Sequence, residues 1–269
     1  SWHGFFSFVG VAVSIFLMGR WAPRAGRTPD GVQLFTADDI YSTAIWVIIG
    51  AVVGAPLVHV VDNWSEIYQQ RPVQILYIAS GGIALWGGIL GGFAGGAIYS
   101  LIAKHPLGAI ADLTAPAMLY AQTIGRLGDI INGEHCAKAA DFFGFRWTHA
   151  ESTARLCTNG FANGAHAVVI YEMAWNMIAL AIVWRLRGRL KPDGMLFALY
   201  LALYSVGRFL VSFLREDKVW GLGMQEAHYT ALLVLAVTVP LLAFKARFKE
   251  GAEATAVVVQ RGTRAQRRR

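Results

Sequence analysis

"YSTAIWVIIGAVVGAPLVHVV" (residues 41–61) contains no Asp, Glu, Lys or Arg. A bilayer core takes about 20 apolar residues of helix, so this stretch reads as one membrane span. Similar runs cover roughly 2–20, 74–102, 107–131, 166–186, 195–214 and 227–247. The expected fold is therefore an all-α polytopic membrane protein of about seven transmembrane helices. A small extracytoplasmic head, residues 132–165, is inserted between the fourth and fifth spans.

Composition agrees. The 269 residues are 55% hydrophobic and only 15% charged, with a mean hydropathy of +0.45; a soluble domain carries about 25% charged residues. The net charge of +7 lies in short basic runs between apolar segments, which is how topology is written rather than how nucleic acid is bound. Arg20, Arg24, Arg27, Lys104, Arg185, Arg187, Arg189, Lys191 and the Arg-rich tail share one side; fewer basic residues, Arg71, Lys138, Arg146, Arg155, Arg215 and Lys218, lie on the other. The positive-inside rule then places the N-terminus outside and the C-terminus in the cytoplasm. Residues 1–249 are expected to form the membrane domain, and 250–269 a disordered basic cytoplasmic tail pressed against membrane lipids. No cleavable signal peptide is recognisable at the start.

Two cysteines, Cys136 and Cys157, fall in the head. They could pair in an oxidising compartment or stay free, and no Cys/His spacing suggests a metal site. In the third span glycines recur at 87/88, 91/92 and 95/96, a rhythm that lets helix backbones approach closely.

Against this apolar background "QTIGRLGDIINGEHC" (122–136) stands out. Ionisable groups in a membrane are costly and are candidates for function. Arg126 and Arg208 are the sharpest, since two guanidiniums from different helices suit a phosphate. A structural reading stands beside it: Arg126 and Asp129, spaced i,i+3, can pair with each other, while Arg208 and Arg215 can snorkel to the head groups. Asp112 reads as a helix cap, and Glu172 needs a partner. Glu134 fits a general base, an arginine partner or a solvated acid. Among His3, His59, His135, His166 and His228, all near the outer face, nothing in the spacing selects a base.

"DLTAPAMLYAQTIGRLGDIINGE" (112–134) resembles the signature of the bacterial prolipoprotein diacylglyceryl transferases, an Arg-x-Gly-Asn followed by Asn-Gly-Glu. "GGIALWGGILGG" (81–92), "HAVVIYE" (166–172), "LYSVGRFLVSFLRE" (203–216) and "GLGMQEAH" (221–228) are similar to further family elements, in the same order. The resemblance implies a seven-span enzyme of the bacterial inner membrane with its active site toward the outer leaflet. It would transfer the diacylglyceryl group of phosphatidylglycerol to the lipobox cysteine of a prolipoprotein signal peptide, releasing glycerol 1-phosphate. It implies catalytic roles for Arg126, Arg208 and Glu134. Substrate contacts are implied for Asn132, Gly133, Asp129, Tyr171, Glu172, Tyr204, Trp86 and Gly87. No metal or organic cofactor is implied.

Several motif positions depart from that pattern. Trp86 stands where many members have a histidine, Asp129 replaces an asparagine and His3 a tyrosine. Ser212 stands in place of an acid, Pro56 of an arginine and Ala137 of a glycine. Asp129 is expected to neutralise Arg126, so that Asp129→Asn would raise activity. The alternative reading is a divergent non-catalytic or altered paralogue that binds phospholipid or lipopeptide. A small-anion transporter ranks last, because no inverted repeat is evident.

Overall fold

The computed structural model describes residues 1–28, 30–76, 84–142, 144–158 and 160–249. Eight α-helices follow in order: α1 (Trp2–Ala25), α2 (Ala37–Asp62), α3 (Leu85–Ile102), α4 (Leu107–Asn132), α5 (Thr153–Cys157), α6 (Val168–Leu186), α7 (Met195–Ser212) and α8 (Glu226–Lys245). Two antiparallel ladders of two or three residues per strand are the only regular sheet among the described residues. They pair β1 (Leu190–Lys191) with β4 (Arg247–Phe248), and β2 (Val219–Gly221) with β3 (Met224–Gln225).

Six helices, α1, α2, α3, α6, α7 and α8, are long and apolar enough to cross a membrane, and the chain is an all-α polytopic membrane protein. The expected seventh, α4, is as long as α2 at 26 residues but is not among them. Asp112, Gln122, Arg126 and Asp129 interrupt its apolar sequence. The third span is shorter than its hydropathy suggests: α3 starts only at Leu85, and Pro72–Leu76 forms a separate 3-10 turn. The first glycine pair of "GGIALWGGILGG" and the tail from 250 onward lie outside the described residues.

The chain divides into two compact units, Gly19–Ile110 and Ser1–Met18 with the chain from Ala111 onward. In the first, α2 starts at a capping box: Thr36 N–H donates to Asp39 Oδ2 at 2.7 Å, and Asp39 N–H donates to Thr36 Oγ1 at 3.4 Å. Its Gly50 and Gly54 then face Gly87, Gly91 and Gly95 of α3. A Cβ at any of these five would land on a backbone carbonyl of the opposite helix. The four-residue glycine rhythm is thus a seam of close helix packing, and Gly87, proposed from the sequence as a substrate contact, is buried in it.

In the second unit, a core of Ala115 and Leu119 from α4, Ala179, Leu180 and Val183 from α6, and Leu196 and Tyr200 from α7 joins three helices. The carboxylate of Asp112 caps a helix, as expected, but not its own. Its oxygens accept from the N–H groups of Gly194 and Phe197, each at 2.9 Å, at the start of α7. Small residues also set how the first half of α1 meets α4. Ser14 Oγ donates to the Ala117 carbonyl at 2.7 Å; Gly10 lies against Ala121, Gly125 against Ser7, and Gly128 against the backbone of Trp2 and His3. The paired numbers rise in one helix as they fall in the other, so the two run antiparallel. The first turn of α1 is therefore delivered to the polar end of α4.

Candidate active site

That polar end is shaped by its terminator. Gly133 follows Asn132 with φ +61°, the left-handed conformation that closes helices and costs glycine nothing. Its N–H returns to the Asp129 carbonyl at 2.9 Å. A Cβ there would strike Ser152 and the Trp147 ring. The head is stitched to this turn: Trp147 Nε1 donates to the Ile130 carbonyl at 2.8 Å and Ser152 Oγ to the Gly133 carbonyl at 3.1 Å. Asn132 and Glu134, two residues apart across the turn, join side chains at 2.6 Å.

Arg126 on α4 and Arg208 on α7 converge on one carboxylate of α6. Glu172 lies 2.5 Å from Arg126 Nη2 and 2.6 Å from Arg208 Nη1. The first contact is an ion pair off the hydrogen-bond axis, whereas Arg208 donates directly to Oε1. Arg126 also donates to Asp129 Oδ2 at 2.7 Å, which is the i,i+3 pair expected from the sequence. Arg126 thus pairs within its own helix and also shares Glu172 of α6 with Arg208. Arg208 is held in an ion pair with Glu172.

Arg215 departs from its expected place. It is the most buried of the three, its side chain only 6% exposed against 21% for Arg126 and 22% for Arg208. A fork to Asp217 holds it, at 2.7 and 3.2 Å. Burial would raise the Asp217 pKa, but the Arg215 hydrogen bonds and charge win and hold it below the ordinary carboxylate range. Arg215 Nη1 is buried with no acceptor among the described residues and lies 3.9 Å from Glu172.

His135 sits between the arginines. Its Nδ1 is 3.2 Å from Arg215 Nη2, and its Nε2 is 3.4 Å from Asp129 Oδ2 and 3.2 Å from Arg126 Nη1. A guanidinium only donates and a carboxylate only accepts, so a neutral ring accepts at Nδ1 and donates from Nε2 to Asp129. On the other side of Asp129, which is 2% exposed, Oδ1 meets Nδ1 of His3. Glu134 Oε2 lies 3.5 Å from that same nitrogen. The donor atoms of His3, Asp129 and Glu134 fall within 4.8 Å of one another, a spacing that would suit a cation. Arg126 already supplies positive charge to this carboxylate, which argues for a proton-handling group instead.

A cavity of about 270 Å³ opens beside these groups, lined by His3, Arg126, Asp129, Glu172, Tyr204 and Arg208, with Trp175 and Gly207 at its wall. Gly207 is required there: any Cβ would overlap the Trp175 indole, whose Nε1 donates to the Leu203 carbonyl at 2.7 Å.

The cavity gathers Arg126, Asp129, Glu172, Tyr204 and Arg208 from the residues singled out in the sequence; Asn132, Gly133 and Glu134 lie in the turn that ends α4 and do not line it, although Glu134 approaches the lining residue His3. It does not gather Tyr171, which faces His166 with 3.4 Å between its hydroxyl and Nδ1 and packs on a cluster of Ala137, Ala165, Val168, Val169 and Val211. Trp86 and Gly87 belong to the unit Gly19–Ile110. The sequence offered Asp217 no role and left His3 and His135 undistinguished among five histidines. The Arg-x-Asp spacing at 215–217 was the available signal for Asp217, whereas His3 and Asp129 are 126 residues apart. Of the others, His228 is buried in a capping role, its Nδ1 accepting from Gln225 N–H at 3.1 Å, and His59 faces Asn63.

The family model for prolipoprotein diacylglyceryl transferase matches residues 1–244. A phosphatidylglycerol–prolipoprotein diacylglyceryl transferase of Symbiobacterium thermophilum is 31% identical over 236 residues, covering 88% of this chain and 84% of that protein. A namesake from Streptomyces coelicolor, numbered 1, is 32% identical over 259 residues, covering 94% and 71%. Another from Nocardia farcinica is 31% identical over 260 residues and covers 91% of this chain, which spans about half (51%) of that longer protein. The chain belongs to the prolipoprotein diacylglyceryl transferase family.

Proposed function

We propose that this protein transfers the diacylglyceryl group of phosphatidylglycerol to the lipobox cysteine thiol of a prolipoprotein, forming a thioether and releasing glycerol 1-phosphate. The observation that carries the reading is the convergence of Arg126 and Arg208, from separate helices, on the wall of one cavity. The thiolate attacks the glycerol carbon that bears the phosphate. A C–S bond forms, the C–O bond breaks, and its electron pair leaves on the phosphate. Negative charge therefore grows on the departing group, where two guanidiniums stabilise it most in the transition state. Glu172 keeps the two guanidiniums at a common point before substrate arrives. Glu134 and Asn132, joined side chain to side chain in the turn that ends α4, are substrate-positioning groups.

The polar end of α4 and the head face outward in this reading, so the site opens toward the outer leaflet of the inner membrane. The excess of Lys and Arg on the opposite side supports that orientation. So does the disulfide joining Cys136 to Cys157, since such bonds persist in oxidising compartments.

The test is direct. The purified protein is given phosphatidylglycerol and a lipobox peptide, and glycerol phosphate release is assayed beside the peptide's mass shift. Release should require the peptide's cysteine. Arg126→Ala and Arg208→Ala should each lose about 100-fold or more in turnover while remaining membrane-inserted. Wild-type turnover in either variant removes that arginine from the phosphate site. Lipid binding without release by the wild-type protein would favour a paralogue that kept the site and lost the chemistry; the Asp129–Arg126 pair is the feature that would explain it.

A further inference from the structure

We infer that His3 is the general base that takes the proton from the incoming thiol, with Asp129 as its positioning residue; the inference rests on the transferase reading above. A thiol near neutral pH is mostly protonated and a weak nucleophile, and neither arginine can accept a proton. The cavity therefore needs a group with a free lone pair, and His3 meets that need on geometry. Its Nδ1 faces two carboxylates, Asp129 Oδ1 and, at 3.5 Å, Glu134 Oε2. Carboxylates only accept, so Nδ1 carries the hydrogen and Nε2 keeps its lone pair. Nε2 has no partner among the described residues, and the half-exposed ring lines the same cavity as both arginines.

The support behind the imidazole is ordered in turn. Asp129 is buried, and its second oxygen is held by Arg126 and His135. The remaining charged groups of the cavity, Glu172 from α6 and Arg208 from α7, are paired with each other. Gly128 lets the backbone of Trp2 and His3 come into contact with α4, which is what brings this ring to the carboxylate of Asp129. The two positions that replace the family's tyrosine and asparagine are thus direct partners. In the reaction Nε2 takes the thiol proton, the sulfur's electron pair makes the C–S bond, and the imidazolium proton passes to the departing phosphate or to water.

Two nucleophiles separate a base from a structural histidine. With a cysteine lipobox peptide, His3→Gln should lose about 100-fold or more in kcat while still binding phosphatidylglycerol vesicles. With selenocysteine in the same peptide, whose selenol ionises without help near neutral pH, the loss should shrink to less than about tenfold. Equal losses on both nucleophiles, or no loss on either, would overturn the assignment. Asp129→Asn, whose amide can turn a donor toward Nδ1 and reverse the tautomer, should show the same selective loss. A measurement on the wild-type protein needs no variant. Its kcat/KM for the cysteine peptide should reach a plateau below the ionisation of a free thiol, about pH 8.5; a rise continuing through that pH would overturn the role. Absence of release by the wild-type protein would defeat the transferase reading and this one with it. Release by the wild type with equal losses in His3→Gln would defeat only the base.

Discussion

A single carboxylate, Glu172, holds the site together at the residue scale. It is buried, and it joins guanidiniums from two other helices. Removing one partner of such a network leaves buried charge uncompensated, a loss of roughly 3–5 kcal/mol. Glu172→Gln should therefore lower the melting temperature in detergent by several degrees as well as lowering turnover, and an unchanged melting temperature would show that the arginines are held by other means. Asp129 shows why a one-partner reading of the sequence misleads. Seen only beside Arg126, it invites the expectation that Asp129→Asn frees a phosphate ligand and raises activity. Arg126 is in fact shared with Glu172, and Asp129 is also engaged with His3 and His135. The geometry therefore predicts a loss.

At the scale of elements, small residues decide which helices can touch. Gly50, Gly54, Gly87, Gly91 and Gly95 bind α2 to α3, while Ser14, Gly10 and Ser7 on α1 meet Ala117, Ala121 and Gly125 on α4, and Gly128 meets the backbone of Trp2 and His3. The glycine rhythm of α3 is legible in the sequence; the α1–α4 seam is not, because its members are spread among larger apolar residues. Gly128 tests the second seam without touching any side chain of the site. A Cβ there would come within 2.6 Å of the Trp2 carbonyl oxygen, so Gly128→Val must push the first turn of α1 away. Displacing a reacting group by about 1 Å can cost 100-fold. Gly128→Val should accordingly reduce turnover of the cysteine peptide by about that factor, far more than turnover of the selenocysteine peptide. Full activity in this variant would mean that the turn bearing His3 need not lie against α4.

At the scale of the whole molecule, function depends on which side of the membrane the head occupies. The head is tied to the segment that follows α7, where Lys138 N–H donates to the Leu214 carbonyl at 2.9 Å and Glu216 N–H to that of Cys136 at 3.1 Å, and to the end of α4 through Trp147. Head and site must therefore share a side. The native cysteines are paired, so an introduced thiol reports location cleanly. Glu151→Cys should react with a membrane-impermeant maleimide in intact cells, whereas Asp193→Cys should react only after the membrane is opened. The reverse pattern would place the site on the cytoplasmic side.

The class of molecule is legible in the chain alone, since charge-free runs of about 20 residues leave few alternatives to membrane helices. The chain also reveals the family, through motifs kept in order, and marks Arg126, Arg208 and Glu172 as ionisable groups in an apolar setting. Six of the seven expected spans are helices apolar enough to cross a membrane, while Asp112, Gln122, Arg126 and Asp129 lower the hydropathy of α4; the third helix starts later than its hydropathy suggests. Which charges meet is set by the packing of the helices. Pairing among Glu172, the arginines, His135 and Asp217 depends on where helices far apart in sequence come to lie. Only there did one histidine of seven become distinct, because the orientation of its ring is set by a carboxylate 126 residues away. Local periodicity carries no information about so distant a contact.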